Sequence, residues 1–232
     1  MKLSFKDVEI GFESASPILS IESMEWRTGG VQVLLGANGS GKSTFLKTML
    51  GLLPPLKGEI DILPEPSSPV ETERTLSRNQ IFGYVPSMPP NHVGLKVREV
   101  LALSGDPSRA CRAFPILFVW MDLRLQQLSD GQKQQVMVAR AWLQSQHWMV
   151  LDEPSAFLDV EAQRALTDML VQQVHRGGGI VMATHDLLGV ARIAGELKAS
   201  CIRQSGLWML KNRSLERHPL DLTVKEMEKR LG

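Results

Sequence analysis

The chain has 232 residues, 43% hydrophobic and 22% charged, with a formal net charge of +1. That length suits one large domain or two small ones and allows a sizeable core, while the near-neutral charge sets up no global field toward nucleic acid or an anionic membrane. No apolar run approaches the ~20 residues of a membrane span, and the two cysteines, Cys111 and Cys201, lack metal-ligand spacing and suit a reducing compartment as free thiols.

Met1 to Ile10 alternates apolar and charged residues, which reads as a first strand and not as a secretory leader. Strands are expected over Leu3–Phe12 and Ile18–Trp26, joined by a loop over Glu13–Pro17. The aromatic ring of Phe12 either stacks on a nucleobase or packs in the core. Val31–Leu35 reads as a buried strand. It runs into Gly36-Ala37-Asn38-Gly39-Ser40-Gly41-Lys42-Ser43-Thr44, which fits G-x-x-x-x-G-K-[ST]. A helix is expected over Thr44–Leu53, with Phe45, Leu46, Met49, Leu50 and Leu53 on one side. Strand, glycine-rich turn and helix together make an anion cradle. The glycines let backbone N–H groups turn inward, and the helix start adds its positive dipole end. In such a cradle Lys42 reaches the β- and γ-phosphates of a nucleotide, and the Ser43 hydroxyl ligates Mg²⁺.

Further along, short strands are expected at Glu59–Leu63 and Ile81–Val85, with proline-rich loops over Pro64–Pro69 and Pro86–Gly94. Helices are expected over Val97–Ser104 and Ser108–Asp122, so this region reads as a small helical insert. Leu128-Ser129-Asp130-Gly131-Gln132 opens a helix running from Gly131 to Gln144. Ser129 and Gln132 have capping-box spacing. A capped start followed by glycine leaves N–H groups free for an anion, although the residues alone fit an ordinary helix cap as well. Trp148–Leu151 is apolar on both faces, hence a buried strand, and it ends in Asp152 and Glu153. Two carboxylates at a buried strand end are costly unless something binds them or water reaches them. Beside a nucleotide, Asp152 holds Mg²⁺ and Glu153 orients the attacking water. A helix over Val160–His175 is stopped by Gly177-Gly178-Gly179, and a strand follows over Ile180–Thr184. His185, next in the chain, is placed to donate to a phosphate oxygen or serves structure alone. Val224, Met227 and Leu231 stand at helical spacing near the end, as a helix packed on the domain or a dimer contact. Strands alternating with helices give an α/β class with a mainly parallel sheet. Three polar constellations fall at carboxyl ends of its strands, where such sheets bind ligands.

In order and spacing, GANGSGKST, LSDGQ, WMVLDEP, SAFLD and THD resemble the ATP-binding cassette (ABC) ATPases over nearly the whole chain. The resemblance implies a P-loop NTPase fold of ABC type: one domain over 1–232, an antiparallel β subdomain, and a helical insert at roughly 88–145. LSDGQ resembles the family signature. That implies a head-to-tail homodimer in which Ser129, Asp130, Gly131 and Gln132 of one copy close over ATP held by the other copy's Gly36–Thr44 loop. Ser155–Asp159 resembles the D-loop, which implies that Asp159 is one of the residues that bind ATP between the two copies; His185 resembles the switch histidine. Lys42, Glu153 and His185 carry catalysis, and Ser43, Asp152 and the residue at 87 attend Mg²⁺. That last position departs from the family's Tyr-Val-Pro-Gln, reading Tyr84-Val85-Pro86-Ser87. LSDGQKQQVMVARAW and DEPSAFLD further resemble the ATPase subunits of bacterial importers for iron–siderophore, haem or cobalamin. The resemblance therefore implies separate membrane permease subunits, indirectly a substrate-binding protein, no nucleic acid, and a peripheral place on the cytoplasmic face of the inner membrane.

Overall fold

A computed structural model describes residues 1–13, 16–64, 77–91, 94–145 and 147–231. Parts of the expected loops at 13–17, 64–69 and 86–94 therefore lie outside the described residues. In chain order the elements are β1 (Lys2–Ile10), β2 (Leu19–Arg27), β3 (Val31–Leu35), α1 (Lys42–Met49), β4 (Lys57–Leu63), α2 (Arg78–Ile81) and β5 (Phe82–Val85). There follow α3 (Val97–Ala102), α4 (Pro107–Ala113), α5 (Leu117–Trp120), α6 (Asp130–Gln144), β6 (Trp148–Asp152), α7 (Val160–His175) and β7 (Gly179–Ala183). The last are α8 (Leu187–Glu196), α9 (Ala199–Arg203), β8 (Gly206–Lys211), β9 (Ser214–His218) and α10 (Val224–Leu231).

Two sheets form. One is antiparallel, in the order β2-β1-β4, and the other has six strands in the order β5-β6-β7-β3-β8-β9. All neighbours in the second are parallel except the β8–β9 hairpin. The expected α/β class, parallel core and antiparallel subdomain are all present. β3, β6 and β7 are buried along their whole length, as strands covered on both faces must be.

α1 lies between the two sheets. Its apolar side, Phe45, Leu46 and Met49, is fully buried. Phe45 stacks on Phe5 of β1 with ring centroids 5.8 Å apart and meets Trp26 of β2 edge-on at 5.6 Å. Such pairs add to the burial of large apolar area and fix the helix that carries the glycine-rich loop. On the other face of the parallel sheet, α6 closes against β5. A Cβ at Gly83 would run into the Ala141 carbonyl and come within 2.9 Å of the Ser145 Cβ. Gly83→Ala is therefore expected to destabilise the chain by about 1–3 kcal/mol, the usual cost of overpacking. Urea unfolding with an unchanged m-value checks this.

Several boundaries differ from expectation. The helix expected over Ser108–Asp122 is two short helices, because Pro115 cannot continue one. α1 starts two residues earlier than expected, at Lys42, and ends four earlier, at Met49. Ile81 closes α2 instead of opening β5, and β1 stops at Ile10, so Phe12 lies beyond it. Sequence reasoning assigned no elements between His185 and Leu222, where α8, α9, β8 and β9 stand. The hairpin's two-residue turn, Asn212 and Arg213, has φ of 50° and 64°, the left-handed pair that suits strand twist.

Candidate functional site

The glycine-rich loop leaves β3 and enters α1 through Gly41, at φ 103°. Gly39 also has positive φ, at 78°, a conformation glycine adopts without a Cβ penalty. Gly36 is held close to Ser40, since a Cβ there would lie 2.7 Å from the Ser40 hydroxyl oxygen. That hydroxyl is buried without a hydrogen-bond partner. Asn38 at the tip is exposed, and Ser43 and Thr44 in the first helical turn are half-buried. Lys42 is buried. Its Nζ donates to the carbonyls of Gly36 at 2.8 Å and Ala37 at 3.2 Å, which curls the loop around the ammonium. The same nitrogen is 3.8 Å from Glu153 Oε1.

Glu153 follows the carboxyl end of β6. Its N–H donates to the Ala183 carbonyl of β7 at 2.8 Å, and its φ of 48° is left-handed, a strained conformation for a non-glycine residue. Its Oε2 is 2.8 Å from His185 Nδ1 and accepts the His185 backbone N–H at 3.3 Å. The carboxylate is thus fixed between a cation at the start of α1 and an imidazole just past the end of β7. The His185 ring remains 68% exposed and is free to meet a ligand.

Asp152, one residue earlier, is 1% exposed. Neither of its carboxylate oxygens completes a hydrogen bond. Burial pushes its pKa up; the nearby Ser43 hydroxyl pulls it down, Glu153 adds to the rise, and Lys42 opposes it. Tyr84 on the adjacent strand is pushed up to about 12, first by burial and then by the Asp152 charge. A buried carboxylate with orphan oxygens beside a serine hydroxyl fits a cation that completes its shell with phosphate oxygens and water, as Mg²⁺ does. Among the described residues there is no cluster of three or more His, Cys, Asp or Glu that could cage a metal. Such a cage is not what Mg²⁺ beside a nucleotide requires.

The remaining predicted residues fall in three places. Ser129 caps α6: its N–H donates to Gln132 Oε1 at 2.9 Å and its hydroxyl accepts the Gln132 N–H at 3.3 Å. The expected capping box is present. Asp130 pairs with Lys133, and a Cβ at Gly131 would lie 2.5 Å from the Phe157 carbonyl oxygen. Ser129, Asp130 and Gln132 thus make their side-chain bonds within the first turn of the helix. Asp159 spends its carboxylate on capping α7, accepting the Ala162 N–H at 2.8 Å. Phe12 is 73% exposed, so of its two readings core packing fails. Ser87 is half-buried just past the end of β5, which pairs with β6 up to Val85 and Leu151. It therefore sits beyond the same sheet edge as Asp152 and Glu153.

Sequence reasoning missed Tyr84, whose strand position puts its hydroxyl near Asp152, and Thr184, a buried hydroxyl that accepts the Asp186 N–H at 3.0 Å and sets the His185 turn. Thr184 stands directly before the His-Asp pair, a placement that could have flagged it. It also passed over Lys133, which lies within the signature-like stretch.

A family model described as ABC transporter matches residues 19–156. The chain is 32% identical over 184 residues to the Nod factor export ATP-binding protein I of Bradyrhizobium diazoefficiens, a match covering 75% of this chain and 58% of that protein. It is 29% identical over 204 residues to the hemin import ATP-binding protein HmuV of Thermobifida fusca, covering 79% of this chain and 68% of the relative. A solved structure titled as an ATP binding subunit of an ABC transporter superposes with TM-score 0.79 at 27% identity, covering 100% of this chain and 99% of that one.

Proposed function

Because this chain belongs to the ABC transporter family, whose ATP-binding domains bind and hydrolyse ATP, we propose that it is the ATPase subunit of a bacterial importer for an iron–siderophore, haem or cobalamin-type compound. Residues 1–232 act as one ABC domain carrying a helical insert at roughly 88–145. One observation carries the chemistry: Glu153 is held between Lys42 and His185, beside a buried, partnerless Asp152. The loop N–H groups from Gly36 to Thr44 and the Lys42 ammonium bind the triphosphate. Ser43 and Asp152 would hold Mg²⁺, which supplies charge neutralisation at the β- and γ-phosphates. Glu153 orients and polarises the attacking water, and His185 meets the γ-phosphate. The exposed Phe12 ring stacks on adenine.

Two copies pair head to tail. The tip of α6, with Ser129, Asp130, Gly131 and Gln132, closes over the other copy's loop, and Asp159 lies beside that contact. ATP binding closes the pair and hydrolysis reopens it. No helix among the described residues is long and apolar enough to cross a membrane. The translocation path is assigned to separate integral permease subunits, with this chain bound peripherally to them at the cytoplasmic face of the inner membrane and a substrate-binding protein supplying the cargo. The helical insert supports this contact, since Met88, Leu103, Ile116, Phe118 and Val119 are large apolar side chains left exposed on or beside it. Apolar groups gathered in one region mark interaction surfaces. The net charge of +1 supports a role away from nucleic acid.

Co-purification from native membranes tests the assignment. Recovery with a permease pair for chelates or haem is the expected result, and recovery only in the soluble fraction would favour an ABC ATPase not tied to transport. The similarity to a Nod factor export protein motivates a second reading, the energy subunit of another transporter class; its permease would then be an exporter's. Ser87 gives a further test. A shorter side chain than the family's glutamine weakens contact with Mg²⁺ or water, so Ser87→Gln is expected to raise permease-stimulated ATPase activity. An unchanged or lower rate counts against this role for position 87.

A further inference from the structure

Lys133 lies one turn into α6, and the nucleotide chemistry has no use for it. It is 8% exposed. A buried ammonium is costly unless it is paired and hydrogen-bonded, and this one is both. Its Nζ is 2.9 Å from Asp130 Oδ1 and 3.0 Å from Asn91 Oδ1. Asn91 belongs to the segment after β5 that also carries Ser87, whereas Asp130 is the first residue of α6. One side chain therefore ties the head of this helix to a loop 42 residues earlier in the chain.

The Asp130 side chain is 54% exposed. A negative charge in the first helical turn is favoured by the helix dipole. Its place is nevertheless awkward, because the same tip must approach the triphosphate bound by another copy, and like charges brought together across an interface repel. An unscreened Asp130 would oppose closure.

We propose that Lys133 is the positioning residue that makes an acidic signature workable: its ammonium neutralises Asp130 as the two copies close, and through Asn91 it makes the position of the helix tip depend on the 87–91 loop. This rests on the head-to-tail pairing proposed for the two copies. It adds that closure depends on the charge balance of the Asp130–Lys133 pair, which neither the fold nor the motif specifies.

The test is a double-mutant cycle on the full chain, with Glu153→Gln present throughout to block hydrolysis. Sedimentation velocity records the Mg-ATP concentration giving half-maximal dimer for the parent, Lys133→Met, Asp130→Gly and the pair combined. Lys133→Met is expected to raise that concentration about tenfold, and adding Asp130→Gly to recover most of the loss. The Lys133→Met defect should also shrink as salt rises from about 50 to about 300 mM, since screening relieves repulsion. Lys133→Arg, which keeps the charge, should stay near the parent. If Lys133→Met does not fold, Lys133→Gln takes its place in the cycle. No loss from removing the charge, or a loss that neither Asp130→Gly nor salt relieves, overturns the proposal. A parent chain that binds ATP but never dimerises would instead sink the head-to-tail pairing.

Discussion

Replacing Lys42 by alanine is expected to reduce ATP hydrolysis at least about a hundredfold, the scale of removing a preorganised charge from a transition state. The reason lies in where the ammonium sits. It is buried, donates to two carbonyls of its own loop, at Gly36 and Ala37, and lies 3.8 Å from Glu153. One group thus shapes the cradle, sits beside a carboxylate and, in the proposed role, binds the phosphates. Alanine removes all three contributions. Binding should weaken as well, because the two carbonyls lose the donor that curls the loop. Titration calorimetry with Mg-ATP and a phosphate-release assay separate the two losses, and a variant within about twofold of the parent in both would exclude Lys42 from phosphate binding.

Glu153→Gln is expected to act on a different quantity. The amide keeps the size of the side chain and can still accept from the His185 N–H, so the left-handed turn at φ 48° and its bond to Ala183 should survive. What goes, on the proposed role of Glu153, is the group that polarises water, worth roughly 10²- to 10⁴-fold in rate for general acid–base catalysis. Nucleotide affinity should hold or rise, because the carboxylate no longer repels the γ-phosphate. The outcome is a protein that binds ATP and keeps it. Turnover at the parent rate would remove Glu153 from the chemistry and leave Asp152 and His185 as the groups to test next.

Much of this site was legible in the sequence because its parts are local. The loop from Gly36 to Thr44, the carboxylates after Leu151 and the histidine after Thr184 each follow a short apolar run, and strand ends in a parallel sheet gather ligand-binding groups at one edge. The Ser129–Gln132 capping box was readable for the same reason: both partners lie within one turn. Three things were not legible. Phe12 could not be placed inside or outside from composition, and its 73% exposure settled that. The Lys133–Asn91 bond joins residues 42 apart, and no local pattern encodes such a pair. In the stretch from Leu187 to His218, the hairpin escaped assignment because its turn uses Asn-Arg, lacking the glycine that usually marks a left-handed pair. The helix break at Pro115 was visible in the sequence, but the strong apolar run from Ala113 to Met121 hid it.

In the proposed pairing, two copies enclose two ATP molecules, each lending the tip of α6 to the other's glycine-rich loop. Sedimentation of the Glu153→Gln protein with and without Mg-ATP, alone and with its permease, tests it most directly. The expected result is a monomer that becomes a nucleotide-dependent dimer, with Ser129→Arg abolishing that shift while each chain still binds ATP. A chain that stays monomeric at saturating Mg-ATP under both conditions would contradict it.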